Sequence, residues 1–233
     1  MPIYSNLSDR PWHQFASTAQ RVIMPLGINT LSDGAFQDFT QLKSVNLTYK
    51  IKSIGNDAFS GCTSLESIII PANTTSIGDR VFAGCSSLKS IDVESGNTKY
   101  VSEDGVLLKL GDTATYNGVS GIQTYTLVAY PAMHHGTAYL ASDGVSSGMY
   151  VIPFGTTAIA AYAFYNATYL WGVVITEAVE TIGEHAFDGC SSLATIVIPN
   201  SVKSIGDYAF YNNTSAKIVS FGTFGTSAAW NSR

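Results

Sequence analysis

Few residues in this chain could do chemistry, and they fall into three groups. His134 and His135 are adjacent, a pair able to ligate a metal. Cys62, Cys85 and Cys190 offer thiols, and Glu177, Glu180 and Glu184 bring carboxylates together in one short stretch. The histidine pair lies in a Gly/Ser-rich segment, where a solvated pair is the simpler reading. His185 takes a polar repeat position and is expected at the surface. Each cysteine follows a phenylalanine in the same F-x-G-C context, so the three are one structural position seen repeatedly. Stacked, buried small side chains are expected there. A Cys62–Cys85 disulfide would need a narrow geometry, and an odd cysteine count does not suit a disulfide framework. The glutamates fall on different parts of one repeat and form no evident acid–base pair. No H-E-x-x-H, phosphate-binding glycine loop or G-x-S-x-G is present, although each of those chemistries needs its motif. The expectation is a non-enzymatic protein with no cofactor and no metal.

What organises the chain is a repeat. Ile77–Ile91 reads IGDRVFAGCSSLKSI, and it recurs as IGEHAFDGCSSLATI at Ile182–Ile196 and IGNDAFSGCTSLESI at Ile54–Ile68. Weaker copies begin at Leu31, Ile159 and Ile205. Phe36, Phe59 and Phe82 are 23 residues apart, and so are Phe164, Phe187 and Phe210. A fixed period of this size marks a solenoid, because each unit is too small to bury its apolar face alone. The phenylalanines should then align in rows.

Bulk composition narrows the function classes. Of 233 residues only 12% are charged and 45% are hydrophobic, with a net charge of −5. No basic stripe exists, so nucleic-acid binding is not expected. No apolar run approaches the ~20 residues of a spanning helix. The N-terminal MPIYSNLSDRPW has no positive and apolar leader, which fits either a cytosolic protein or an exported one whose signal peptide lies outside this sequence.

Within each repeat, a period-two triplet reads as a short strand. The triplets begin at Val22, Val45, Ile68, Ile91, Tyr150, Val173, Ile196 and Val219. Proline follows at Pro25, Pro71, Pro153 and Pro199, where it ends the strand. Between strands, Ile77, Val81, Phe82 and Cys85 have a spacing that predicts one or two helical turns, with Asp33, Asn56, Asp79 and Asp207 as cap residues. The strand starts jump from Ile91 to Tyr150, and Gly105 stands where a phenylalanine is due. Asp104-Gly105 is a hairpin signal. Tyr100–Ser102, Val106–Leu110 and Thr124–Tyr130 are therefore expected as an antiparallel meander projecting from the solenoid, followed by an exposed loop over Ala132–Gly148. Pro2–Gln20 should cap the first coil through Trp12 and Phe15. Gly222–Arg233 reads as a cap or linker.

The unit I-G-x-x-A-F-x-G-C-x-S-L-x-x-I-x-[IV]-P resembles the BspA-like leucine-rich repeat of bacterial surface proteins. The insert Y-V-S-E-D-G-V-L, then T-L-V-A-Y-P and Y-V-I-P, and the opening P-W with V-I-M-P, are similar to that family as well. Departures are Phe39, Ala167 and Asn213 at the cysteine position. The resemblance implies an exported or cell-surface protein with an adhesion or protein-binding role. The fold class expected is an α/β repeat: a right-handed leucine-rich-repeat solenoid with a parallel sheet, short helical turns and one inserted meander. Its divisions are a cap over 1–20, repeats over 21–98, the insert over 99–149, repeats over 150–221 and an end piece over 222–233. The partner would be a protein or glycan, bound to a monomer through outward strand residues. Asn46, Ile69, Asp92, Trp171, Val174 and Val197 are the candidate contact residues. The meander, with Tyr116, Tyr125 and Tyr139, is the rival site, and a spacer that presents another domain is the alternative function. Asn6, Asn46, Asn73, Asn166 and Asn213 lie in N-x-S/T sequons, which in a bacterial host are expected to stay bare.

Overall fold

The computed structural model describes residues 10–134, 149–214 and 217–220, the last as backbone only. The expectations for Asn6, His135, Tyr139, the rest of the loop to Gly148 and the segment after Ser220 lie outside the described residues. The chain forms two units, Met1–Leu107 and Leu108–Arg233.

In the first unit the outward strands are β1 (Arg21–Ile23), β3 (Ser44–Asn46), β5 (Ser67–Ile70) and β7 (Ser90–Val93). Between them in sequence lie the two-residue strands β2 (Thr30–Leu31), β4 (Ser53–Ile54) and β6 (Ser76–Ile77). Pairing is parallel and keeps the repeat register. Val22 lies opposite Val45, Ile68 opposite Ile91, and Leu31, Ile54 and Ile77 follow one another. The expected strands are present, each starting one residue earlier than its triplet. Val45, Ile68, Ile70 and Ile91 point inward and are buried. β8 (Tyr100–Glu103) follows the last coil.

The helical turns are not there. Among the described residues the sole helical segment is a 3-10 turn, His13–Phe15. The segment that carries each phenylalanine is a ladder of turns. Gly34, Phe36 and Asp38 donate their N–H groups to Asn56, Ala58 and Ser60 of the next coil at 2.6–2.8 Å, while Ala35, Gln37 and Phe39 bond back within their own coil. A helix would direct every amide inward along itself. Here the residue two before each phenylalanine is left-handed, as at Asp57 (φ 54), Arg80 (φ 55) and His185 (φ 51). A single left-handed residue breaks a right-handed helix, and it turns alternate amides toward the neighbouring coil. The Asp33 and Asn56 side chains accordingly do not cap their own coil. They accept the backbone N–H of Asn56 and Asp79, one coil on, at 2.8 Å.

The phenylalanines stack. Phe36 and Phe59 have centroids 5.6 Å apart with planes 10° from parallel, and Phe59 and Phe82 are 6.0 Å apart at 3°. Under them the Cys62 thiol donates to the Phe36 carbonyl, and Cys85 to Phe59, both at 3.1 Å. The cysteines are free and buried. The first coil is closed by Arg10, which donates to the Asp33 carbonyl at 2.6 Å, and by the Trp12 indole, which donates to Ala35 at 2.6 Å. Phe15, expected to share this cap, is 51% exposed. The reason is that polar donors, not another ring, are needed to satisfy the first coil's carbonyls.

β9 (Val106–Tyr116) carries the chain into the second unit and turns at Asn117–Gly118 into β10 (Val119–Ala129). Both turn residues have positive φ, 49° and 82°, which suits a two-residue hairpin. The ribbon is longer than the sequence suggested, because residues 111–116 and 119–121 are strand rather than link. It is also less separate from the coils, since β10 pairs in parallel with β12 (Thr156–Ile159), Leu127 opposite Ile159. β12 continues to β14 (Thr181–Ile182) and β16 (Ser204–Ile205). The outward ladder runs β11 (Met149–Val151), β13 (Gly172–Val174), β15 (Thr195–Ile198) and β17 (Lys217–Ser220). Here the last register shifts by one residue, since Ile196 pairs with Ile218 rather than Val219. Phe164, Phe187 and Phe210 stack at 4.6 and 5.4 Å.

Candidate functional site

A strand's alternation sends every second side chain outward, and parallel register places those side chains in rows. In the first unit β1 and β3 set Arg21 beside Ser44 and Ile23 beside Asn46, and β5 and β7 set Ser67 beside Ser90 and Ile69 beside Asp92. Ile23 is 69% and Ile69 55% exposed. A shallow groove of 290 Å³ runs among Arg21, Asn46, Ile69 and Glu94. Glu94 is held by the Ala72 N–H at 2.9 Å, and Asp92 accepts from the Ser90 hydroxyl at 3.1 Å. The candidate residues Asn46, Ile69 and Asp92 therefore share one face. Arg21, Ile23 and Glu94 belong to it too, and the repeat period was the signal for the first two.

In the second unit the register row is Val151, Val174 and Val197. Val174 is 39% exposed, Val197 half-buried, and Trp171, one residue before β13, is 43% exposed. Gly172 leaves room for Met149, whose Cγ would lie 3.2 Å from a Cβ placed there. Sequence reasoning overlooked Val151, although it stands 23 residues before Val174. The first unit's face is mixed polar and apolar, and the second's is an apolar row.

Neither face brings reactive groups together. Among the described residues no three His, Cys, Asp or Glu side chains are placed to hold a metal. His134 is buried rather than solvated, with Nδ1 3.0 Å from the Tyr130 hydroxyl; the Tyr150 and Tyr130 rings beside it remove it from water. His185 is sandwiched between Tyr162 and Tyr208 at 4.8 and 5.0 Å, with Nδ1 2.7 Å from Asp188. Burial pushes the Cys190 thiol up to about 12, and Cys85 is raised well above its usual range by its contact with Cys62 and then by burial. Such thiols are not nucleophiles. On the surface, ion pairs repeat with the coil: Lys89–Glu66 at 2.8 Å and Lys203–Glu180 at 2.7 Å. The Lys89 hydrogen bond holds Glu66 below the ordinary carboxylate range.

A family model described as BspA type leucine rich repeat region matches in 6 copies over residues 13–105 and 150–228. No curated protein matches the chain. Among solved structures, a leucine-rich repeat protein from Eubacterium ventriosum is similar over 96% of this chain and 66% of its own, at 23% identity and TM-score 0.63. The pneumococcal vaccine antigen PcpA is similar over 86% of this chain and 51% of its own, at 23% identity and TM-score 0.66. A leucine rich cell surface protein from Faecalibacterium prausnitzii is similar over 91% and 62%, at 24% identity and TM-score 0.57. The chain thus spans between about half and two thirds of these structures, and at such identity the likeness is one of fold.

Proposed function

The chain belongs to the BspA-type leucine-rich repeat family, and from that premise we propose that it is a non-enzymatic adhesion or protein-binding module at the bacterial cell surface. In this reading residues 21–221 are one repeat array interrupted over 99–149. Its coils are right-handed, as parallel crossovers nearly always are. The observation that carries the proposal is the stacking of outward side chains in rows, with Ile69, Trp171 and Val174 exposed among them. Ile69 lies on the first unit's face and Trp171 and Val174 on the second's, and exposed large apolar side chains on a strand face mark contact surfaces. Asn46, Ile69, Asp92, Trp171, Val174 and Val197 are the contact residues, and the partner is a protein bound to a monomeric chain. One of the similar structures is named a cell surface protein, which supports the location.

The test is retention of purified matrix and host-surface proteins, and of glycans, on the immobilised chain. Replacing Asp92, Trp171 and Val174 together with alanine should abolish binding, because a few central residues dominate interface energetics. Binding of glycans alone would reassign the partner. Retention of nothing would favour a spacer that holds another domain away from the surface.

A further inference from the structure

The β9–β10 ribbon outruns what it packs on. β10 pairs with β12 only from Tyr125 onward, and residues 111–121 are exposed apart from half-buried Tyr116. Beside the ribbon's outer half, within the second unit, a cleft of 160 Å³ opens. Tyr116 and Ile122 line it from the ribbon, Phe154 and Gly155 from the turn before β12, and Glu177 and Glu180 from the turn before β14. Phe154 is 56% exposed, and Tyr116 meets it edge-on at 5.5 Å. The turn is held there by Gly155, φ +86°, where a Cβ would strike the Gln123 carbonyl. Glu180 is engaged by Lys203. Glu177 is exposed and, among the described residues, has no ion-pair partner.

An aromatic wall beside an uncompensated carboxylate suits an amphipathic cation. The methylene stem of a lysine or arginine packs on a ring while its head meets the carboxylate. Among the described residues β10 has no strand beside it on its β12 side before Tyr125, and an open edge accepts an extended chain through main-chain pairing. We propose that this cleft receives a lysine or arginine side chain from an extended segment of a protein partner, which pairs its backbone with the ribbon. A second copy of this chain fits less well, because the chain carries a net charge of −5 and would bring like charge to an acidic cleft.

Selection of random heptapeptides displayed on phage against the full chain tests this. Enriched peptides should carry lysine or arginine among β-branched residues. The same peptide synthesised with norleucine for the cation should bind about tenfold more weakly, since one charge-assisted hydrogen bond is of that order. Glu177→Gln and Phe154→Ala should each weaken binding comparably, and both sites are exposed, so circular dichroism should be unchanged. The proposal is overturned by enrichment of peptides without a cation, by no enrichment, or by either variant binding normally. A concentration-dependent dimer that both variants disrupt would assign the cleft to a second copy and would also overturn it.

Discussion

Tyr130 stacks on Phe164 with ring centroids 4.7 Å apart, and its backbone N–H donates to the Ala163 carbonyl at 2.7 Å. Phe36 makes the same bond to Ala58, and Phe164 to Ala186. Tyr130 thus stands where a repeat phenylalanine would, and it begins the second stack. Tyr130→Ala should cost ~3–5 kcal/mol, as for other large buried rings. Tyr130→Phe keeps the ring but loses the hydroxyl bonds to His134, and should cost about 1 kcal/mol. Urea denaturation of the two variants checks the difference.

Phe59 and Phe187 are fully buried between neighbouring rings. Alanine at either site should destabilise by ~3–5 kcal/mol, and Phe→Leu by less, because volume is better kept. An unshifted melting midpoint for Phe59→Ala would contradict the stacked-coil architecture.

The buried thiols give a pH dependence with a definite sign. Cys190 sits at about 12 in the folded chain, whereas a free thiol ionises near ~8.5. Only the unfolded chain therefore releases this proton between those values. The stabilisation is complete below the unfolded value and is lost as pH rises through the folded one. Melting temperature should fall on the alkaline side, and Cys190→Ala should flatten part of that fall. Native protein should resist thiol reagents at neutral pH and react only after unfolding.

Gly78 has no room for a side chain, since a Cβ there would lie 2.6 Å from the backbone nitrogen of Asn56. Gly78→Ala should cost more than about 1 kcal/mol, as at sites where the native backbone cannot accept alanine. Gly27 has nothing within 4 Å of such a Cβ, and Gly27→Ala should change stability by less than about 1 kcal/mol. Thermal melts of the pair separate crowding from a general loss of flexibility.

Asn213 departs from the cysteine position, yet its Nδ2 donates to the Phe187 carbonyl at 2.7 Å, the bond that Cys190 makes to Phe164 at 3.0 Å. At Cys62, Cys85, Cys190 and Asn213 the position supplies a donor to the preceding coil's carbonyl, so sulfur is not required for that bond, while Phe39 and Ala167 fill the position with no donor. Asn213→Ala should leave that carbonyl without its donor and cost ~1–3 kcal/mol, read by chemical denaturation.

Much of the candidate face could be read before folding. A period of 23 residues assigns Asn46, Ile69 and Asp92 to one side, because a one-residue slip would expose Val45, Ile68 and Ile91. The ribbon cleft could not. Glu177 and Phe154 are far from Tyr116 in sequence, and no local pattern announces their meeting.

The sequence by itself determined which side chains stack, since each coil's apolar set can be buried only against the coils on either side. Only the tertiary structure decided how the chain between strands runs. A spacing that suits a helical turn equally suits a turn ladder, and the choice rests on amides pairing with another coil's carbonyls. The same holds for Tyr130, which earns its place through Phe164 and Ala163 rather than through any neighbour in the chain. Long-range backbone pairing leaves no mark on short stretches of sequence, and so it emerges only once the coils are assembled.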